Sequence, residues 1–153
     1  MTTTAFDVIH ALQGKTLATA ESLTGGGIGA ALTAVPGASA VVKGGVISYT
    51  DEVKREVLGV SAHDLASFGA VSAPVAAAMA TGVRKLLHAD VAVSVTGLAG
   101  PGGDAFGHEV GTVFIGYADA DTTEVKEYRF RGDREAVRSQ TIEAALALIL
   151  EHG

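Results

Sequence analysis

The chain has 153 residues, 48% hydrophobic and 18% charged, with a formal net charge of −6 and no cysteine. That length and composition fit one globular domain with a buried core, and the missing cysteine excludes disulfides, thiolate metal sites and cysteine nucleophiles. The negative charge and 5% aromatic content argue against nucleic acid as a partner, yet leave room for a phosphorylated small molecule.

Thr3 or Thr4 can cap a first helix carrying Phe6, Ile9 and Leu12, which Gly14 ends. Thr16 to Ala20 alternates and reads as a short strand. Thr24 to Val35, rich in Gly and Ala, reads as a helix close against a sheet, broken at Pro36-Gly37. Ala40 to Tyr49 reads as a strand, bent at Gly44-Gly45. A helix follows over Asp51 to Leu58. Ser61 to Asp64 resembles a capping box before a short helix closed by Gly69. Ser72 caps the next helix, with Pro74 early in it, which runs to about His88. Val91 to Val95 carries no charge and reads as a central strand. Val110 to Tyr117 and Glu124 to Phe130 form a hairpin across Asp119-Ala120-Asp121, and Asp133 to His152 is a closing helix. The order αβαβαααβββα predicts an α/β fold: a three-layer α/β/α sandwich with a mixed β-sheet. No signal peptide and no run of membrane-spanning length occurs, so a cytoplasmic protein with no membrane partner is expected.

Three segments have the makings of a site. Glu21-Ser22-Leu23-Thr24-Gly25-Gly26-Gly27 lies between a strand and a helix, where α/β sheets place ligands and where first-turn N–H groups hold anions. Ser22 or Thr24 is either a plain helix cap or part of chemistry, and both readings stay open. Gly25, Gly27 and Ala30 fit G-x-G-x-x-A, but Glu21 to Thr24 separate them from the strand, so an NAD-binding oxidoreductase is disfavoured. In the second segment, Tyr49 ends a strand and Lys54 lies one turn into a helix. A lysine is a general base once burial populates its neutral amine; the alternative is a solvated Lys54 paired with Asp51 or Glu52. The third, Thr96-Gly97-Leu98-Ala99-Gly100-Pro101-Gly102-Gly103, is a glycine-rich loop able to present backbone N–H groups to an anion, or simply a long turn. Lys126, Arg129, Arg131, Arg134 and Arg138 add a basic cluster, with Arg134 and Arg138 on one helix face. The dispersed histidines suggest no metal site, and His108-Glu109 reads as an exposed loop.

Taken in order, Ala20-Glu21-Ser22-Leu23-Thr24-Gly25-Gly26, Tyr49 to Lys54, Gly69-Ala70-Val71-Ser72, Thr96 to Gly103, Val110 to Val113 and Gly132-Asp133-Arg134 resemble the CinA C-terminal domain family. Its stand-alone members are PncC-type nicotinamide mononucleotide deamidases. The resemblance implies hydrolysis of the carboxamide of nicotinamide mononucleotide to nicotinic acid mononucleotide and ammonia, in pyridine nucleotide salvage, with no cofactor and no metal. It implies Ser22 as nucleophile, Lys54 as base or relay and Tyr49 as helper. It further implies a substrate-binding set of Thr24, Gly25, Gly26, Thr96, Gly97, Ala99 and Gly100, with Arg134 or Arg138 on the phosphate or ring. N–H groups at Thr24-Gly25-Gly26 are expected to meet the oxyanion. Larger relatives carry an N-terminal domain resembling molybdopterin-binding proteins; this sequence is expected to be one domain over 1–153 and a homodimer. Leu23 stands where many members have cysteine. The rival reading is a nucleotide-binding or interaction module without catalysis.

Overall fold

The computed structural model describes residues 4–153. In chain order these form α1 (Ala5–Ala11), β1 (Leu17–Glu21), α2 (Gly27–Thr33), a 3-10 turn at Ala38–Ala40, β2 (Val42–Ile47), α3 (Asp51–Glu56), α4 (Ala62–Phe68), α5 (Ala73–Leu86), β3 (Val91–Gly97), β4 (Thr112–Ala118), β5 (Thr123–Arg129) and α6 (Arg134–His152). One sheet runs in the order β2-β1-β3-β4-β5. β1 pairs parallel with β2 and β3, while β3-β4-β5 are antiparallel. The result is an α/β fold with a mixed sheet flanked by helices, as the element order predicts.

Strand alternation sorts the core into two layers. Leu17, Val91, Val93, Val95, Val113 and Ile115 pack on α1, α2 and α6. Ala18, Ala20 and Ala92 pack on Val75, Met79 and Val83 of α5. Small residues on that second face let α5 come close: a Cβ on Gly116 would lie 2.7 Å from the Ala76 carbonyl oxygen. Met79 and Val83 are wholly buried, each contributing roughly 1.5–3 kcal/mol of apolar transfer. No described helix is long and apolar enough to cross a membrane.

Several boundaries differ from the sequence expectation for local reasons. Thr4 forms a full capping box with Asp7 on α1; the alternative cap Thr3 lies outside the described residues. α2 starts at Gly27 rather than Thr24, because Gly26 takes φ +99°, a conformation that ends a left-handed turn and not one inside a helix. β2 is shorter than Ala40 to Tyr49, since the 3-10 turn consumes Ala38–Ala40. Its irregularity is a bulge: Leu17 faces Val42 and Ala18 faces Gly44, passing over Lys43. Ser61 caps α4 through the Asp64 N–H at 3.0 Å, half of the expected box. Ser72 holds the N-cap position of α5 without capping it; its hydroxyl donates to the Gly69 carbonyl at 2.8 Å. β4 begins at Thr112, not Val110, because Gly111 takes φ +95°.

This topology creates a crevice. β1 and β3 stay paired to Glu21, but the chain leaves β1 toward β2 on one side and leaves β3 toward β4 on the other, so their connections part at the carboxyl ends. Such a switch point is where open α/β sheets receive ligands.

Candidate active site

The carboxyl ends of β1, β2 and β3 deliver Ser22, Tyr49 with Lys54, and Thr96 with Gly97 to one cleft of about 430 Å³. The serine turn is anchored from behind by Glu21, the last residue of β1, which is buried on the α2 side of the sheet and does not line the cleft. Its carboxylate accepts from the Thr24 hydroxyl at 2.6 Å and from the Ile28 and Gly29 N–H groups at 2.8 and 2.9 Å. These are first-turn amides of α2, which has no side-chain cap at Gly26. A buried anion on a helix N-terminus satisfies orphan donors and the helix dipole together. Glu21 thereby holds both ends of the turn that presents Ser22.

Lys54 is wholly buried, 1% exposed. The Thr50 hydroxyl starts α3 by accepting from the Val53 N–H. The turned strand end then points main-chain oxygens at the lysine. Nζ donates to the carbonyls of Ser48 at 2.7 Å and Tyr49 at 3.2 Å, and lies 3.2 Å from Ser22 Oγ. No ion pair forms with Asp51 or Glu52, so the solvated, locally paired Lys54 is not what the chain builds. Burial pushes the amine down to about 8, against partial opposition from the Asp51 carboxylate. In its neutral form the amine keeps two N–H donors for the two carbonyls, and its lone pair is left for the Ser22 hydroxyl proton. That is the geometry of an activated serine with a lysine base.

The other expected residues divide. Thr96, Gly97, Ala99 and Gly100 line the cleft, as do Ser22, Tyr49, Lys54 and Arg134. The Thr96 hydroxyl donates to the Ala70 carbonyl at 2.8 Å, keeping its lone pairs available. Arg134, first residue of α6, donates to the Gly100 carbonyl at 2.7 Å and to the Tyr49 hydroxyl at 3.3 Å. The Tyr49 hydroxyl thus faces Arg134; toward Lys54 Tyr49 offers its main-chain oxygen. Arg138 instead binds main chain, donating to the carbonyls of Leu23 at 2.9 Å and Thr24 at 3.2 Å. It pins the serine turn and does not line the cleft. Thr24, Gly25 and Gly26 also lie off the cleft lining. The Gly25 N–H donates to the Ser22 carbonyl at 3.1 Å and the Gly27 N–H to the Thr24 carbonyl at 2.9 Å. The amides of Leu23, Thr24 and Gly26 have no partner among the described residues, and of these three residues only Leu23, directly after Ser22, lines the cleft.

The remaining basic residues disperse: Lys126 pairs with Glu151 at 2.7 Å, and Arg129 with Glu109 and Glu127. His108 bonds Asp104 at 2.7 Å. Among the described residues no group of three His, Asp or Glu side chains is arranged to hold a metal ion. Sequence reasoning passed over Glu21, Asp104 and Phe106. The first was visible as a carboxylate adjoining the serine, but its target amides lie 7 and 8 residues on, beyond any local capping pattern.

Comparison with known proteins gives one answer throughout. The sequence profile described as "CinA C-terminal domain" matches residues 2–152. A crystal structure of the competence damage-inducible protein A from Klebsiella pneumoniae subsp. pneumoniae is 40% identical, with a TM-score of 0.94 over 96% of this chain and 92% of that one. The competence/damage-inducible protein of Agrobacterium tumefaciens is 38% identical, with a TM-score of 0.93 over 96% and 92%. CinA-like proteins of Parasynechococcus marenigrum and Sulfurihydrogenibium sp. are 50% and 47% identical over 87% and 88% of this chain. The chain spans about a third of the length of these curated relatives, 32% and 34%.

Proposed function

The chain belongs to the CinA C-terminal domain family, and from that premise we propose that it is an amidohydrolase cleaving the carboxamide of nicotinamide mononucleotide to nicotinic acid mononucleotide and ammonia. The observation that carries the reading is the contact of Lys54 Nζ with Ser22 Oγ, made by an amine that is wholly buried. Two carbonyls hold the amine in place, and burial without a carboxylate partner favours the neutral form that a base for a serine needs.

In the proposed reaction, neutral Lys54 takes the hydroxyl proton as Ser22 Oγ bonds to the amide carbon. The amide of Leu23, which lines the cleft beside Ser22, is the donor we assign to the oxyanion; within the expected Thr24-Gly25-Gly26 set the Gly25 amide is taken by the Ser22 carbonyl. As the intermediate collapses the C–N bond breaks, and the Lys54 ammonium gives its proton to the departing nitrogen, which leaves as ammonia. Water then attacks the acyl-enzyme, Lys54 accepts its proton, and the proton returns to Ser22 Oγ as nicotinic acid mononucleotide is released. Arg134, braced by Gly100 and Tyr49, is the cation for the substrate phosphate.

Ammonia release from nicotinamide mononucleotide tests this, with nicotinamide and NAD as controls. Wild-type chain releases ammonia from the mononucleotide and Ser22→Ala releases none. Binding of the mononucleotide without ammonia from the wild type supports a non-catalytic nucleotide-binding module instead.

A further inference from the structure

The chain has five phenylalanines, three tyrosines and no tryptophan. Two of these eight line the same cleft with their rings in the open: Tyr49, 59% exposed, and Phe106, 47% exposed. Tyr49 is held by Arg134. Phe106 has no counterpart in the reaction above, and nearly half of this apolar side chain is left open to solvent.

Phe106 is nevertheless firmly placed. Asp104 Oδ1 accepts from the Phe106 N–H at 3.1 Å and the His108 N–H at 3.0 Å, and Asp104 Oδ2 meets the His108 ring at 2.7 Å. The ring lies over Gly69, where a Cβ would come within 2.6 Å of it. Gly69 sits at φ +78°, so the position favours glycine for its backbone as well as for this approach. Ala70, Val71 and Leu98 extend the apolar lining beside the ring. The charged groups of the cleft are Asp51, Lys54, Asp104 and Arg134. With Lys54 neutral, as the reaction requires, and Arg134 given to a phosphate, the part that remains is acidic.

We propose that Phe106 is a specificity-determining residue: its face stacks on a cationic, N-substituted pyridinium ring and selects it over the uncharged dihydropyridine form. The inference rests on the substrate proposed above. An aromatic face attracts a cation through its quadrupole and the nearby carboxylates add to that attraction, whereas the reduced ring carries no charge to be recognised. Phe106 makes no proton transfer; it sets which oxidation state of the ring is held against Ser22.

The experiment is titration calorimetry on the Ser22→Ala chain, with nicotinamide mononucleotide and its dihydro form as ligands and wild-type ammonia release run in parallel. The oxidised ring is expected to bind roughly tenfold tighter than the reduced one. Phe106→Leu, which keeps the bulk and removes the π face, brings the ratio close to one, and Phe106→Trp restores it. If wild-type chain releases ammonia from the mononucleotide but Phe106→Leu leaves the ratio unchanged, the role of Phe106 is overturned while the reaction stands. If neither ligand binds and no ammonia appears, the substrate reading falls and this inference with it.

Discussion

Lys54 gives a prediction that does not depend on knowing the substrate. Replacing it by methionine keeps the length and removes the ionisation. In the unfolded chain this lysine holds its proton up to its ordinary value of 10.5; in the folded chain burial lowers that to about 8. Below pH 8 both states are protonated, and the folded state carries the full cost of the buried cation. Between 8 and 10.5 the unfolded chain binds more protons, so raising the pH favours folding. The relief is complete only above 10.5. From these two values, wild-type stability should rise by about 2 kcal/mol relative to Lys54→Met between pH 7 and pH 9.5. Urea denaturation of both proteins at the two pH values, at matched ionic strength, measures the difference. Whatever methionine does to packing, or to the carbonyls of Ser48 and Tyr49, cancels because it is present at both pH values. Parallel stabilities across that range would refute the argument, since they would mean the folded amine is no more reluctant to be charged than a solvated one. The same ionisation governs the proposed base: with a value near 8, about a tenth of the protein has the neutral amine at pH 7. The kcat/KM for ammonia release should therefore climb roughly tenfold per pH unit below pH 7 and level off above pH 8.

Three other outcomes follow from particular contacts. Glu21→Ala strips the buried acceptor from the Thr24 hydroxyl and from the Ile28 and Gly29 amides, and should lower stability by roughly 3–5 kcal/mol in urea. The two arginines of α6 should separate: Arg134→Ala raises KM for the phosphorylated substrate about tenfold at little cost in stability. Arg138→Ala lowers the urea midpoint and kcat instead, because it releases the carbonyls of Leu23 and Thr24. Gly116→Ala puts a methyl group 2.5 Å from Ser94 Oγ and 2.7 Å from the Ala76 carbonyl; pushing α5 off the sheet should cost about 1–3 kcal/mol, read from thermal or urea unfolding.

Element type and order were legible because periodicity and punctuation are local. Val91 to Val95 has no charge to place in water, and β3 indeed lies in the middle of the sheet. Asp133 caps α6 through the Ala136 N–H at 2.9 Å, the start that the closing helix was expected to have. Element ends were less legible where a glycine with positive φ, such as Gly26 or Gly111, decided them. The residue types also marked Ser22, Lys54, Thr96 and Arg134 as candidates, since each follows a strand or opens a helix. What they could not show was which candidates share a cleft. Arg134 and Arg138 are equivalent in sequence, one helical turn apart, yet one lines the cleft and the other ties down main chain. Lys54 reads as a surface lysine until the ends of β1 and β2 bring Ser22 Oγ and two carbonyl oxygens around its amine. Burial, and the altered basicity it causes, depends on neighbours 5 to 32 residues away, and only the sheet order brings those neighbours together.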